Sequence, residues 1–210
     1  LNTGTFTVAG GDSVALGNIN TTHVNVYENG EWTTSEKRPA TSVATFNVKG
    51  GSFTLGTAPT VKSWPTFHTG QLNVTDGAVF KNHGNLVLDK SLTLTGSTFH
   101  NRGNVHGKTL VLGDGADWYT YEATKDQKAN GVHFAEHFAT MIFEEGSRLI
   151  SEDVETPEYL YIDQGNNFLR GGQIYRMASD GTVGKAFEHL VVGGIFDGDE
   201  ADAGLGYPDH

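Results

Sequence analysis

Cysteine is absent from the 210 residues. Without thiols the chain has no disulfide framework, no thiolate metal site and no cysteine nucleophile. The same absence suits a chain exported unfolded through an oxidising space, where a stray disulfide would block passage. Charged residues are scarce, at 19%, and no apolar run approaches the ~18 residues that cross a bilayer as a helix. Leu1 leads directly into "NTGTFTV", which does not read as a signal peptide, and a start at Leu is expected of a mature or trimmed fragment. Positive charge is short in the second half. Residues 111–210 hold 6 Lys/Arg and 19 Asp/Glu, a balance of 6 − 19 = −13, against 8 and 6 in residues 1–110. So acidic a surface repels phosphates and excludes nucleic acid as the expected partner.

What is abundant is glycine, at 28 residues, among Thr, Asn, Val, Phe and Leu, a mixture that favours short strands and tight turns. One phrase recurs: apolar–x–apolar, then a turn that usually contains Gly. It begins at Phe6, Val24, Phe46, Leu72, Leu92, Leu110, Met141, Leu160 and Leu190, with separations of 18, 22, 26, 20, 18, 31, 19 and 30 residues. Each phrase reads as a strand whose two apolar side chains share a face. A βαβ unit needs ~30 residues and a helical crossover, and most of these gaps are too short. Hairpin-linked sandwiches space strands by ~8–12 residues and have no reason to reset the phrase every 18 to 20 residues.

The spacing predicts an all-β chain folded as a right-handed parallel β-helix, or β-solenoid, of about nine coils, each rising by ~4.8 Å. Residues 1–210 form a single domain in this reading. "FKNHGN" (80–85) and "FHNRGN" (99–104) then lie on successive coils. Phe80 sits over Phe99, Asn82 and Asn101 form an amide ladder, and Gly84 and Gly103 relieve the same corner. The longer gaps become inserted loops at 33–42, 57–70, 119–139 and 170–189. Aromatic residues placed there, Trp64, Phe67, Trp118, Tyr119 and Tyr121, are the candidate binding residues.

The stretch "LNVTDGAVFKNHGNLVLDKSLTLTGSTFHNRGNV" (72–105) resembles passenger domains of type V secretion: autotransporter passengers and filamentous-haemagglutinin-like adhesins of Gram-negative bacteria. Those chains repeat "strand, G-x-x-F-x-N-x-G-x-φ, strand". The resemblance is clearest over 72–112. It implies a secreted or outer-membrane-surface protein, presenting loops that bind a glycan or protein of a host or neighbouring cell, without catalysis and without a cofactor. Contact with the membrane would run only through a translocator outside this chain. "GLGYPDH" (204–210) does not read as a final barrel strand, so part of a longer passenger is expected.

Two enzymatic alternatives compete. "HFAEH" (133–137) spells the inverted zincin motif, in which a helix brings His133 and His137 to one face as zinc ligands beside Glu136 as base. A polysaccharide lyase or hydrolase, including a tailspike-like domain, would need paired carboxylates on one face of the rod; "GDGADW" supplies Asp114 and Asp117. "GGDSV" (10–14) resembles the G-D-S-G of serine-protease passengers, but Val14 stands where glycine should follow Ser13. The tail holds Asp197, Asp199, Glu200 and Asp202, oxygen ligands dense enough for calcium but without EF-hand spacing.

Overall fold

Among the described residues, period-2 apolar patterning produces nineteen strands, and the pairings between these strands are all parallel. A computed structural model describes the backbone of residues 2–8, 11–15, 20–26, 30–34, 41–56, 66–121, 123–124, 127–128, 134–152, 159–162, 166–178, 180–184, 189–192 and 195–198. Side chains are described from residue 43 to 184 within those segments, except at 135, 159–162, 166–169 and 176.

The strands fall into three sheets. The larger holds nine: β1 (Asn2–Val8), β3 (Asn20–Val26), β5 (Thr41–Lys49), β7 (Thr66–Thr75), β9 (Asn85–Thr95), β11 (Asn104–Leu112), β13 (Ala135–Glu144), β16 (Asn166–Arg170) and β19 (Ile195–Gly198), in that spatial order. The second holds eight: β2 (Gly11–Ala15), β4 (Gly30–Thr34), β6 (Ser52–Leu55), β8 (Val79–Asn82), β10 (Thr98–Asn101), β12 (Asp117–Thr120), β14 (Arg148–Glu152) and β17 (Gln173–Met177). From β1 to β14 the chain alternates between these two sheets. β15 (Tyr159–Ile162) and β18 (His189–Val192) pair with each other as the third.

Seven of the nine apolar phrases are neighbours in the larger sheet. Phe6 pairs with Val24, Val24 with Phe46, Phe46 with Leu72, Leu72 with Leu92, Leu92 with Leu110, and Leu110 with Met141. The last two differ. Leu160 pairs with Leu190 in the small sheet, while Asn167 takes the place beside Met141. The same spelling serves two sheets, because a short apolar strand carries no mark of which sheet it joins.

The apolar faces of the two large sheets meet. Phe46 of β5 packs edge-on against Phe53 of β6 at 4.7 Å, and Trp118 of β12 against Phe138 of β13 at 6.2 Å. Within the second sheet, Phe53, Phe80, Phe99 and Trp118 form a continuous row. Phe80 and Phe99 stack at 4.8 Å and 5°, and Phe99 and Trp118 at 4.2 Å and 1°. In-register parallel pairing superposes equivalent side chains, so identical rings meet face to face.

β9 carries one residue more than its neighbours, and the register shifts against both. Asp89 and Lys90 are consequently both exposed, and Leu92 returns to the interior. The extra residue is a β-bulge that keeps both apolar halves of the strand facing inward.

The inserted loops are shorter than expected. β5 starts at Thr41, β7 at Thr66 and β13 at Ala135, β12 extends to Thr120, and 170–189 contains the whole of β17. Those limits followed gaps between phrases of one sheet, and the second sheet draws its strands from the same gaps. Ile174 of β17, fully buried, pairs with Leu149.

Phe99→Ala should lower the unfolding free energy by about 3–5 kcal/mol, because it opens a cavity between two stacked rings. Lys90→Ala, at the exposed bulge, should change it by less than about 0.5 kcal/mol. Urea unfolding of the two variants checks the contrast.

Candidate functional site

Adjacent residues of a strand face opposite ways, so each buried Asn of the second sheet is flanked by outward side chains. Asn82 and Asn101 are fully buried. Asn82 Nδ2 donates to Asn101 Oδ1 at 2.8 Å, and Asn101 Nδ2 donates to Glu136 Oε1 at 2.8 Å. Each Oδ1 also accepts a backbone N–H, from Gly84 at 3.0 Å and Gly103 at 3.2 Å. The amides are satisfied at both ends, the condition under which buried polar groups stabilise. Gly103 is required by proximity: a Cβ there would collide with the carbonyl oxygen of Gly84. A second ladder joins Asn104 to Asn85 at 3.0 Å.

Glu136 therefore ends the buried ladder, and it also accepts the Trp118 indole N–H at 3.2 Å. This is a different role from the zinc-site base. Glu136 and His137 lie on β13, where consecutive side chains diverge, and the helix that would align His133 with His137 is not formed over 135–137. His137 is exposed and stacks on His106 at 4.8 Å; burial and His137 hold the His106 imidazole below its usual value. His133 lies outside the described residues, among which no three His, Asp or Glu side chains gather as a metal site.

Two candidate binding aromatics are core residues instead. Trp118 and Phe67 are each 1% exposed. Trp118 belongs to β12, stacked on Phe99, and Phe67 to β7, 5.0 Å from Phe46. The apolar spacing of their own strands puts them inside. Trp64 lies outside the described residues. Asp114 and Asp117 are not a free carboxylate pair: Asp117 accepts both Nε and Nη2 of Arg148, at 2.7 and 2.5 Å. Asp114 sits in the turn, its backbone carbonyl accepting Gly96 N–H at 2.8 Å. Ser13 is on β2, paired with Trp32. Asp197 is on β19, and Asp199, Glu200 and Asp202 fall outside the described residues.

Tyr119 and Tyr121 do reach the outer surface, with company not foreseen. Lys81, His100 and Tyr119 are register partners on β8, β10 and β12. Two residues further along each segment come His83, Arg102 and Tyr121, tied by Arg102 N to Asn82 O at 2.8 Å and Tyr121 N to Asn101 O at 3.3 Å. The result is a grid of six side chains, two by three. His100 stacks on Tyr119 at 4.8 Å, its Nδ1 lies 2.9 Å from the Tyr121 hydroxyl, and the Arg102 guanidinium covers the Tyr121 ring at 4.0 Å. The triplets "KNH", "HNR" and "YTY" at 81, 100 and 119 carry this pattern, the first two framing a ladder asparagine and the third Thr120, the register partner of Asn101.

Burial, reinforced by Lys81, Arg102 and His83 and opposed by Asp117, pushes His100 down to about 4. Burial with Arg102 and Lys81 also lowers His83. Burial raises Tyr121, against the opposing pull of Arg102. At neutral pH His100 is thus uncharged, and its Nδ1 and the Tyr121 hydroxyl share one proton in their hydrogen bond. His83 Nδ1 is buried without a hydrogen-bond partner among the described residues. No ion pair engages Lys81 or Arg102 among them either. In a chain of net charge −11, the grid concentrates donors and positive charge.

Two outcomes test these assignments. Glu136→Ala leaves Asn101 and Trp118 donors without an acceptor and should cost about 1–3 kcal/mol, with a change in tryptophan fluorescence. For His100, the folded value lies below the ordinary 6.5, so the unfolded chain binds more protons between the two and stability falls as pH drops through that window. The Tm should decline on acidification, and His100→Gln should flatten the decline.

Compared with protein-family models, curated proteins and solved structures, the chain matches none.

Proposed function

We propose that the chain is a right-handed parallel β-helix of about nine coils and that it serves as a non-catalytic, adhesin-like passenger domain on a bacterial surface. The observation that supports this reading is the pairing of the apolar phrases from Phe6 to Met141, each with the next, across seven parallel strands. A chain alternating between two parallel sheets, with like residues superposed, is what a winding backbone produces. Nine strands at ~4.8 Å give a body on the order of 40 Å long. Such a body holds ligand-binding groups away from the surface that anchors it, and its exposed faces offer repeated positions for recognition. The partner in this reading is a glycan or protein of a host or neighbouring cell.

Displayed on the outside of cells, the domain should make them adhere to a partner cell layer. Deleting 57–65 or 122–133, both between described strands, should reduce adhesion while circular dichroism stays β-rich. Adhesion equal to that of cells displaying an unrelated β-rich domain would refute the reading.

A further inference from the structure

The grid on the outer side of β8, β10 and β12 and of the residues that follow them lies outside the apolar core. Lys81 and Arg102 are exposed, and the buried ladder beneath them is complete without their side chains. We propose that Lys81, His83, His100, Arg102, Tyr119 and Tyr121 bind a carboxylate-bearing polysaccharide lying along the row of strands. This rests on the adhesin-like reading and names the ligand class for one face of it.

Three features select that ligand. First, Lys81 on β8 and Arg102 just past the end of β10 stand on neighbouring segments, so they match anionic groups that recur along a polymer. Second, the other donors belong to uncharged groups: the Tyr119 hydroxyl and the imidazoles of His83 and His100. Uncharged donors suit the hydroxyl and ring oxygens of a sugar, while a guanidinium held flat on Tyr121 presents its edge to a carboxylate. Third, the backbone groups of these central strands are already paired with strands on either side. A peptide therefore cannot add itself here as a strand, and the ligand must be held by side chains. Asp117, the carboxylate beside His100, is neutralised by Arg148; Glu152 lies on the Tyr121 side and sets the limit of the anion-binding row.

Bound carboxylates would offset the field of Lys81 and Arg102 that helps to keep His83 and His100 uncharged. The complex then takes up protons, and affinity rises as pH falls below the ordinary imidazole value of 6.5 toward the value of about 4 that His100 has in the free chain, while the uronate groups stay ionised. The groups facing the two imidazoles are Lys81, Arg102, Asp117, Tyr119, Tyr121 and each other.

Calorimetric titration of the purified chain at low salt, with a polyuronate as the probe, decides the matter. Polyuronate should bind and its fully methyl-esterified form should not. Lys81→Gln and Arg102→Gln should each weaken binding about tenfold, with Tm unchanged for Lys81→Gln and only slightly lowered for Arg102→Gln, which also loses its contact with Tyr121. Equal binding of the esterified polymer, or of both variants, overturns the proposal. So does poly-glutamate bound as tightly as polyuronate. Self-association abolished by the same substitutions would instead assign the grid to the acidic half of a second copy. Adhesion retained without polyuronate binding sinks this assignment alone; lost adhesion with polyuronate binding intact sinks the surface reading alone.

Discussion

Everything in this molecule depends on parallel pairing in register. When a strand lies one spacing above a strand of like pattern, the backbone bonds are satisfied between neighbours and each side chain meets its own equivalent. Phenylalanine then meets phenylalanine, and asparagine meets asparagine. The arrangement rewards residues that tolerate their own kind: flat rings, which stack, and primary amides, which donate and accept at once. It penalises unpaired charge in the interior. The described core accordingly holds Phe46, Phe53, Phe80, Phe99 and Trp118, with Asn82 and Asn101 as its buried amides. The turns follow the same rule. Gly77 at φ 76° and Gly96 at φ 53° occupy equivalent turns and are linked by a 2.7 Å backbone bond.

The same constraint explains what the outer surface can do. A side chain that points outward inherits neighbours above and below from the register, whether or not they suit it. On β8, β10 and β12 this brings Lys81, His100 and Tyr119 into one row and His83, Arg102 and Tyr121 into the next. On the larger sheet it stacks His106 on His137. Surface chemistry here is organised by rows that run across strands, so residues about 19 positions apart in sequence are closer partners than residues side by side.

The repeat was legible because its spelling is local and its period is short. Phe80 over Phe99, and Asn82 beside Asn101, follow from a spacing of 19 residues. Other features were hidden for definite reasons. Leu160 and Leu190 carry the same phrase as Leu110 yet belong to another sheet, since sheet membership is decided by where the preceding segment delivers the chain. Trp118 and Phe67 fall in gaps of one sheet's rhythm, where the spacing alone suggests loops; the alternation within "DWYT" places Trp118 opposite Tyr119. The bulge at Asp89 and Lys90 leaves only two adjacent polar residues as its trace. Of the surface grid, the tyrosines stood out by size, while Lys81, His83, His100 and Arg102 sat within the repeat words themselves and passed as filler between Phe, Asn and Gly.

The buried amides have a sense of direction. A row of asparagines alone could orient its dipoles either way along the strands, and the two arrangements would be nearly equal in energy. Three contacts remove that ambiguity. The N–H groups of Gly84 and Gly103 each point at an asparagine oxygen, and Glu136, at the end of the row, accepts from Asn101. Asn101 therefore aims its nitrogen at Glu136 and its oxygen at Asn82, and Asn82 follows suit. Two backbone turns and one acidic residue on the neighbouring sheet thereby give the interior a one-way polarity that a row of amides by itself does not contain.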